Sequence, residues 1–90
     1  MTPEIHADNR LKRLRYRSCH RGCKETDIVL GHFADSAMKN LPLDQLDIYE
    51  RLLDEDDANI WDWLTGKTTP ETREYLPLLE TLKGFGLPTD

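Results

Sequence analysis

The sequence predicts an all-α protein, a small compact bundle of about five short helices. Apolar residues recur at helical spacing along nearly the whole chain, and no segment alternates apolar with polar residues over the length of a strand. Five prolines and five glycines are too few for a loop-rich or collagen-like chain. With 90 residues and 10.5 kDa, the chain has room for one hydrophobic core. We therefore predict a single domain over 1–90, with a folded core at about 8–84 and loose tails at 1–7 and 85–90.

The first two helices are expected on either side of Gly22. Asp8 or Asn9 can cap a helix that runs to about His20, because their side chains accept hydrogen bonds from free backbone N–H groups. Gly22 ends this helix, since glycine readily adopts the positive φ angle of a helix C-terminus. The second helix is predicted over 25–38. Its apolar residues fall on one side: Ile28, Val29, Phe33 and Ala37.

The third and fourth helices follow from proline and aspartate positions. Pro42 suits the first position of a helix predicted over 42–54. Asp56 or Asp57 is placed to cap a short fourth helix, which stops at Gly66.

The fourth helix carries two tryptophans, and the last helix contains a proline. We assign Trp63 to the core and Trp61 to the surface, because residues two apart on a helix face different ways. A further helix start is indicated at 68–71, and Pro77 is expected to split or kink the helix that follows.

The net charge of −5 is unevenly distributed. Residues 1–25 contain seven basic and three acidic side chains, whereas residues 26–90 contain five basic and fourteen acidic ones. The stretch 10–24 has no acid at all. Such a block typically faces an anionic partner, although a solvated helix face balanced by the acidic half of the chain would look the same.

Several classes of function are disfavoured by what the sequence lacks. No run approaches the ~20 apolar residues of a spanning helix, so no membrane insertion is expected. A phosphate-binding loop, a dinucleotide turn and a catalytic triad motif are also missing, so we do not expect an enzyme. Cys19, His20 and Cys23 lack the paired spacing of a zinc site, and we expect no bound metal.

The most unusual local pattern is the run from Arg21 to Glu25. Gly22 has no Cβ, so it can form the turn that ends the first helix and also lets another molecule approach its backbone. Arg21 offers a planar fork of donors for a carboxylate or a phosphate. On spacing alone, the favoured interpretation is a helix C-cap followed by an acid in the first turn of the next helix.

Two segments, 16–34 and 49–64, resemble the SdhE-type FAD assembly factor family. The hallmark Arg-Gly-x-x-Glu is met by Arg21, Gly22 and Glu25, and the second segment contains Leu-Leu-Asp-x-Asp-Asp followed by Trp-Leu. The resemblance implies a five-helix chaperone that promotes covalent flavinylation of the flavoprotein subunit of succinate dehydrogenase or fumarate reductase. It also implies that FAD belongs to this client and that the chain itself binds no cofactor.

The resemblance also implies roles for the motif residues. The client's own histidine attacks the 8α carbon of the flavin, and the turn docks beside that site. We expect Gly22 to permit close approach, Arg21 to engage an acidic or backbone group of the client, and Glu25 to orient Arg21 or a client residue. Further contacts with the client are expected at eight residues: Tyr16, Arg17, His20, Lys24, Asp27, Phe33, Asp57 and Trp61.

An alternative is a small nucleic-acid-binding or antitoxin-like regulator that uses the basic stretch 10–24. The sequence pI of about 5.1 and the single aromatic residue in that stretch, Tyr16, favour the assembly factor, and we expect no nucleic-acid partner. We expect the free protein to be monomeric. The acids Glu4 and Asp8 are untypical of a mitochondrial presequence, so the bacterial cytoplasm is favoured over the mitochondrial matrix.

Overall fold

Within residues 3–85, the chain forms five α-helices and one 3₁₀ turn. The computed structural model describes the backbone of residues 3–85 and the side chains of residues 9–85. No strand occurs among these residues, so the prediction of an all-α bundle is confirmed. The helices are α1 (Pro3–Cys19), α2 (Lys24–Ser36), α3 (Leu43–Leu53), α4 (Asp57–Leu64) and α5 (Tyr75–Leu82), with the 3₁₀ turn at Met38–Asn40.

Helix α2 lies at the centre of the bundle. It packs against α1, α4 and α5, while α3 packs against α1 and α5. Its buried side centres on Phe33, whose ring lies 5.0 Å from Tyr49 and 5.5 Å from Phe85. Aromatic contacts of this kind add to the area buried by each ring. One core therefore joins α2 to α3 and to the residues that follow α5.

Helix α1 begins earlier than predicted, at Pro3 instead of after Asp8 or Asn9. Proline is well suited to the first helical position, because the N–H that it lacks would have no partner there. The backbone of 3–7 therefore belongs to α1. Residues 86–90 of the predicted C-terminal tail lie outside the described residues.

The second helix is shorter than predicted, and one of its apolar residues is not in the core. It ends at Ser36, and the chain then tightens into the 3₁₀ turn instead of continuing to Met38. Ile28 is 42% exposed, whereas the next residue, Val29, is buried. Because successive helical residues are about 100° apart, the buried side includes Val29 and leaves Ile28 at the surface.

The last helix corrects two predictions. No helix starts at 68–71; these residues form an irregular connection, and α5 begins at Tyr75. Pro77 neither splits nor kinks α5, because it occupies the third helical position. Backbone N–H groups in the first turn have no partner inside the helix, so a proline there removes no helical hydrogen bond.

Both tryptophans of α4 are half-buried against the core. The ring of Trp63 lies 5.8 Å from that of Tyr75, which covers part of it. The assignment of Trp63 to the core and Trp61 to the surface was therefore too sharp. The fully buried side of this short helix is formed by Ile60 and Leu64.

Candidate functional site

The connection between α1 and α2 is a short turn with glycine at its apex. Gly22 has a φ angle of +89°, a conformation that costs residues with a Cβ roughly 1–2 kcal/mol. A Cβ placed on Gly22 would meet nothing within 4 Å. Gly22 is thus required by the backbone conformation, and the space in front of it is open to another molecule.

The side chain of Arg21 points back into the protein and is only 10% exposed. Its Nη1 donates to the carbonyl oxygen of Leu53 at 2.7 Å, and its Nη2 donates to that of Glu55 at 2.6 Å. The Nε group donates to Oδ1 of Asp57 at 2.5 Å. All three guanidinium nitrogens are therefore engaged by the connection between α3 and α4.

This geometry corrects the expected role of Arg21. The sequence predicts that this side chain engages an acidic or backbone group of a client. In the structure it binds one carboxylate and two backbone carbonyl oxygens of its own chain. A guanidinium with planar, charge-assisted hydrogen bonds to three acceptors is held firmly. Arg21 thereby fixes the position of the turn relative to α3 and α4.

Two aspartates and a threonine complete the support of the turn. Oδ1 of Asp27 accepts a hydrogen bond from the backbone N–H of Arg21 at 2.8 Å. The hydroxyl of Thr26, which is fully buried, lies 3.3 Å from Oδ1 of Asp57 and 3.1 Å from the carbonyl oxygen of Cys23. Asp27 and Asp57, both predicted to contact a client, thus hold the turn from inside.

Glu25 is exposed and forms no hydrogen bond with Arg21, whose three guanidinium nitrogens donate to other groups. Of the two roles expected of Glu25, orienting Arg21 is therefore not seen, and orienting a client residue stays a prediction. Oε2 of Glu25 accepts a hydrogen bond from the Cys23 thiol at 3.3 Å. Its own backbone N–H, and then the Cys23 thiol, lower the pKa of the Glu25 carboxyl below its usual value. Glu25 therefore presents a charged carboxylate to solvent at neutral pH, beside the bare backbone of Gly22.

An open groove of about 520 Å³ extends from the turn along α2. Exposed side chains of Ile28 and His32 line it together with Gly22 and Lys24. At its floor α1 and α2 approach each other closely. A Cβ placed on Gly31 of α2 would lie only 3.3 Å from the sulfur of Cys19 in α1. This groove was not predicted from the sequence; Gly31, a glycine inside a predicted helix, was the available signal.

Four of the seven cations of the basic stretch form ion pairs within the protein. Arg10 pairs with Asp47 and Glu50 of α3 at 2.6 and 2.8 Å. Two further ion pairs extend this pattern to other elements: Arg15 with Asp35 at 2.5 Å and Arg17 with Asp54 at 2.6 Å. These contacts balance three cations of α1 against acids from the acidic half of the chain. That nucleic acid is not a partner remains a prediction.

The other residues predicted to contact a client fall into three groups. Phe33 is completely buried, so its prediction as a surface contact is wrong: the core side of α2 needs a large apolar residue there. Trp61 is half-buried against the core. Four remain on the surface or partly so: Tyr16, Arg17, His20 and Lys24.

The two cysteines are free thiols, and both are partly exposed. In the region that the structure describes, no three side chains of the metal-binding types come together. That no metal is bound remains a prediction. Within the same region, none of the helices is both long enough and apolar enough to cross a bilayer.

Fold and site together define a small helical bundle that presents a rigid, glycine-containing turn on its surface. A protein family described as "Flavinator of succinate dehydrogenase" matches residues 12–86, and the chain belongs to this family. The match includes the whole turn and every residue that supports it.

Relatives from bacteria and fungi are similar to this chain. An "FAD assembly factor SdhE" of Coxiella burnetii is 33% identical over 72 residues, which cover 80% of this chain and 87% of that protein. One of the same name from Acetobacter pasteurianus is 32% identical over 73 residues, with 81% and 67% covered. A "Succinate dehydrogenase assembly factor 2, mitochondrial" of Mycosarcoma maydis is 45% identical over 58 residues, which cover 64% of this chain but 24% of that longer protein.

Proposed function

We propose that this protein is an assembly factor that binds the flavoprotein subunit of succinate dehydrogenase and promotes its covalent flavinylation. The observation that carries the proposal is the motif turn itself. Gly22 and Glu25 are exposed at its surface, and Arg21 holds the turn rigidly from beneath. The family match and the printed names of the bacterial relatives support the same function.

The proposed mechanism divides the motif into a support and a contact surface. Arg21, Asp27 and Asp57 hold the turn, so little conformational entropy is lost when a client binds. Gly22 offers a flat stretch of backbone, and Glu25 offers a carboxylate to a donor on the client. In the chemistry that the family resemblance implies, a histidine of the client forms the bond to the flavin.

The assembly factor acts in this proposal by holding the client in the geometry that favours attachment. A rigid partner surface placed beside a reacting site lowers the barrier through orientation. FAD remains in the client, and this chain contributes no catalytic residue. We propose that it acts as a monomer in the bacterial cytoplasm, that the flavoprotein subunit of fumarate reductase is the alternative client, and that nucleic acid is not a partner.

Covalent flavin on the cognate flavoprotein subunit tests this function. Flavin fluorescence in a denaturing gel is compared with and without the wild-type protein, Gly22→Arg and Glu25→Ala. Circular dichroism establishes that both variants are folded. We expect the wild type to raise the amount of attached flavin and both folded variants to lose most of that effect.

Gly66→Arg is the matched control, because Gly66 also has a positive φ angle, +80°, and also has open space around it. It carries the same backbone cost and the same added charge at a site away from the motif turn. Equal loss of flavinylation by Gly66→Arg and Gly22→Arg would contradict a specific role for the turn. An unaltered yield with and without the wild-type protein would contradict the function itself.

A further inference from the structure

The solvent-facing side of α1 carries a stacked aromatic pair flanked by cations. Tyr16 is 64% exposed, and its ring lies 4.0 Å from that of His20 with 13° between the planes. Nδ1 of His20 is 2.9 Å from the carbonyl oxygen of Tyr16, which fixes the imidazole. Lys12, Arg13 and Arg17 line a shallow depression of about 360 Å³ with Tyr16. We call these five residues the basic–aromatic face.

Two cations of this face differ from the other basic residues of α1. Lys12 and Arg13 take part in no ion pair within the described part of the chain, whereas Arg15 and Arg17 are each paired with an aspartate. The protein as a whole has a net charge of −5. A positive surface on an acidic protein attracts an acidic partner to one place and in one orientation.

The basic–aromatic face is also prepared for contact before a partner arrives. The stack of Tyr16 on His20 restricts both side chains, so ordering them on binding loses little entropy. Tyrosine is among the residues that most often dominate a binding interface. His20 directly precedes Arg21, so the face ends where the motif turn begins, and a single large partner can cover both.

We infer that the basic–aromatic face docks an acidic segment of the client flavoprotein. Its carboxylates would pair with Lys12 and Arg13, and an apolar or planar group would lie on Tyr16. The inference rests on the proposed function and extends it, because it assigns affinity to α1 and the flavinylation effect to the turn. Two cations without an ion pair among the described side chains are few for a nucleic acid, whose binding proteins commonly make about 6–10 phosphate contacts.

Binding of the purified flavoprotein subunit to labelled variants tests this inference. The double variant Lys12→Glu/Arg13→Glu reverses the unpaired charges, and Tyr16→Ala removes the exposed ring. We expect each to weaken binding about tenfold at low salt, and the double variant to show a flatter salt dependence. The matched control is Lys67→Glu/Arg73→Glu, which makes the same charge change at exposed positions between α4 and α5.

Flavinylation assays separate this inference from the proposed function. At saturating concentration the Lys12→Glu/Arg13→Glu variant should restore wild-type flavinylation, whereas Gly22→Arg should not. The docking inference is contradicted if Lys12→Glu/Arg13→Glu and Tyr16→Ala both bind the flavoprotein subunit with wild-type affinity. It is also contradicted if the Lys67→Glu/Arg73→Glu control weakens binding equally. Neither outcome contradicts the proposed function. A wild-type protein that neither binds nor stimulates overturns both.

Two further probes test other anionic partners of the same face. Duplex DNA and vesicles of anionic phospholipid are each titrated with the wild type and with Lys12→Glu/Arg13→Glu. We expect no binding of either probe at physiological salt. Binding of DNA or vesicles that the double variant abolishes, together with unchanged binding of the flavoprotein subunit, would overturn the inference.

Discussion

The guanidinium of Arg21 and the carboxylate of Asp57 form an ion pair, with Nε 2.5 Å from Oδ1, across 36 positions of sequence. The pair joins the motif turn to the first residue of α4. Its two side chains are only 10% and 24% exposed. Their contact is therefore less screened by water than the other ion pairs of this surface.

We predict that Asp57→Asn lowers the free energy of unfolding by roughly 1–3 kcal/mol, because it leaves the half-buried guanidinium without its anion. Urea unfolding followed by circular dichroism measures the change. Glu74→Gln is the control, since it breaks the exposed pair of Arg51 with Glu74 and should lower the free energy of unfolding much less. Equal losses of unfolding free energy in Asp57→Asn and Glu74→Gln would contradict a greater contribution of the buried Arg21 pair to stability.

We predict that Gly22→Ala and Gly66→Ala destabilise the protein by similar amounts, about 1–2 kcal/mol each. Both glycines have positive φ angles, and neither has a neighbour that a methyl group would meet. Only Gly22→Ala should also reduce flavinylation. Thermal unfolding measures the loss of stability, and the gel assay measures flavinylation on the same samples. A loss of stability in only one of the two variants would contradict the explanation by positive φ angles.

The pKa of the Glu25 carboxyl should rise when the Cys23 thiol is removed. The thiol donates to Oε2 of Glu25 and favours its charged form, after the larger effect of the backbone N–H. Because the folded-state pKa is lowered, the charge of Glu25 favours folding above its unfolded pKa, and this effect disappears as the pH falls through the folded value. Titration of Glu25 by NMR should show an upward shift in Cys23→Ala and little shift in Cys23→Ser.

Two substitutions at one buried hydrogen bond should lower the free energy of unfolding by unequal amounts. The hydroxyl of Ser18 donates to the carbonyl oxygen of Leu14 at 2.7 Å, so the Tyr49 hydroxyl, 2.5 Å away, is the donor to Ser18. Ser18→Ala leaves the phenol of Tyr49 buried without an acceptor, at a cost of about 1–3 kcal/mol. Tyr49→Phe leaves Ser18 bonded to Leu14 and should cost less. Urea unfolding of the two variants decides the order.

Burial of Tyr49 also predicts how stability depends on alkaline pH. Desolvation raises the pKa of its phenol well above the ordinary value, so the folded state keeps the phenol neutral. The unfolded chain ionises first, and stability is therefore lost as the pH rises beyond about 10, the ordinary pKa of tyrosine. Unfolding free energies measured across that range should fall less steeply in Tyr49→Phe than in the wild type.

The parts of the fold that local patterns determine were predictable from the sequence. The positive φ angle of Gly22 follows from its residue type. Helix α4 starts at Asp57, where the sequence predicts it, but the side chain of Asp56 makes no capping hydrogen bond. The effect of Pro77 could not be predicted from local patterns. A proline interrupts a helix only when it lies beyond the first turn, so its effect depends on where the helix begins. Helix α5 begins at Tyr75, which is buried in the core.

The candidate site was predictable only as a set of residues. The motif identified Arg21, Gly22 and Glu25, but the partners of Arg21 lie 32 to 36 positions away, and sequence spacing does not show contacts of that range. The placement of Ile28 at the surface was missed for a different reason. It adjoins Val29 in an apolar run, and only the packing of α1 and α4 on α2 decides which of the two is covered.

The anchoring of Arg21 has a consequence for the order in which the protein matures during synthesis. Its three acceptors belong to residues 53, 55 and 57, which the ribosome adds well after the turn has been made. Until those residues emerge, the motif is a short link between two helices with nothing to hold its guanidinium. A nascent chain therefore gains a rigid turn only when more than half of its length is available, and binding of a client before that stage lacks the prepared surface.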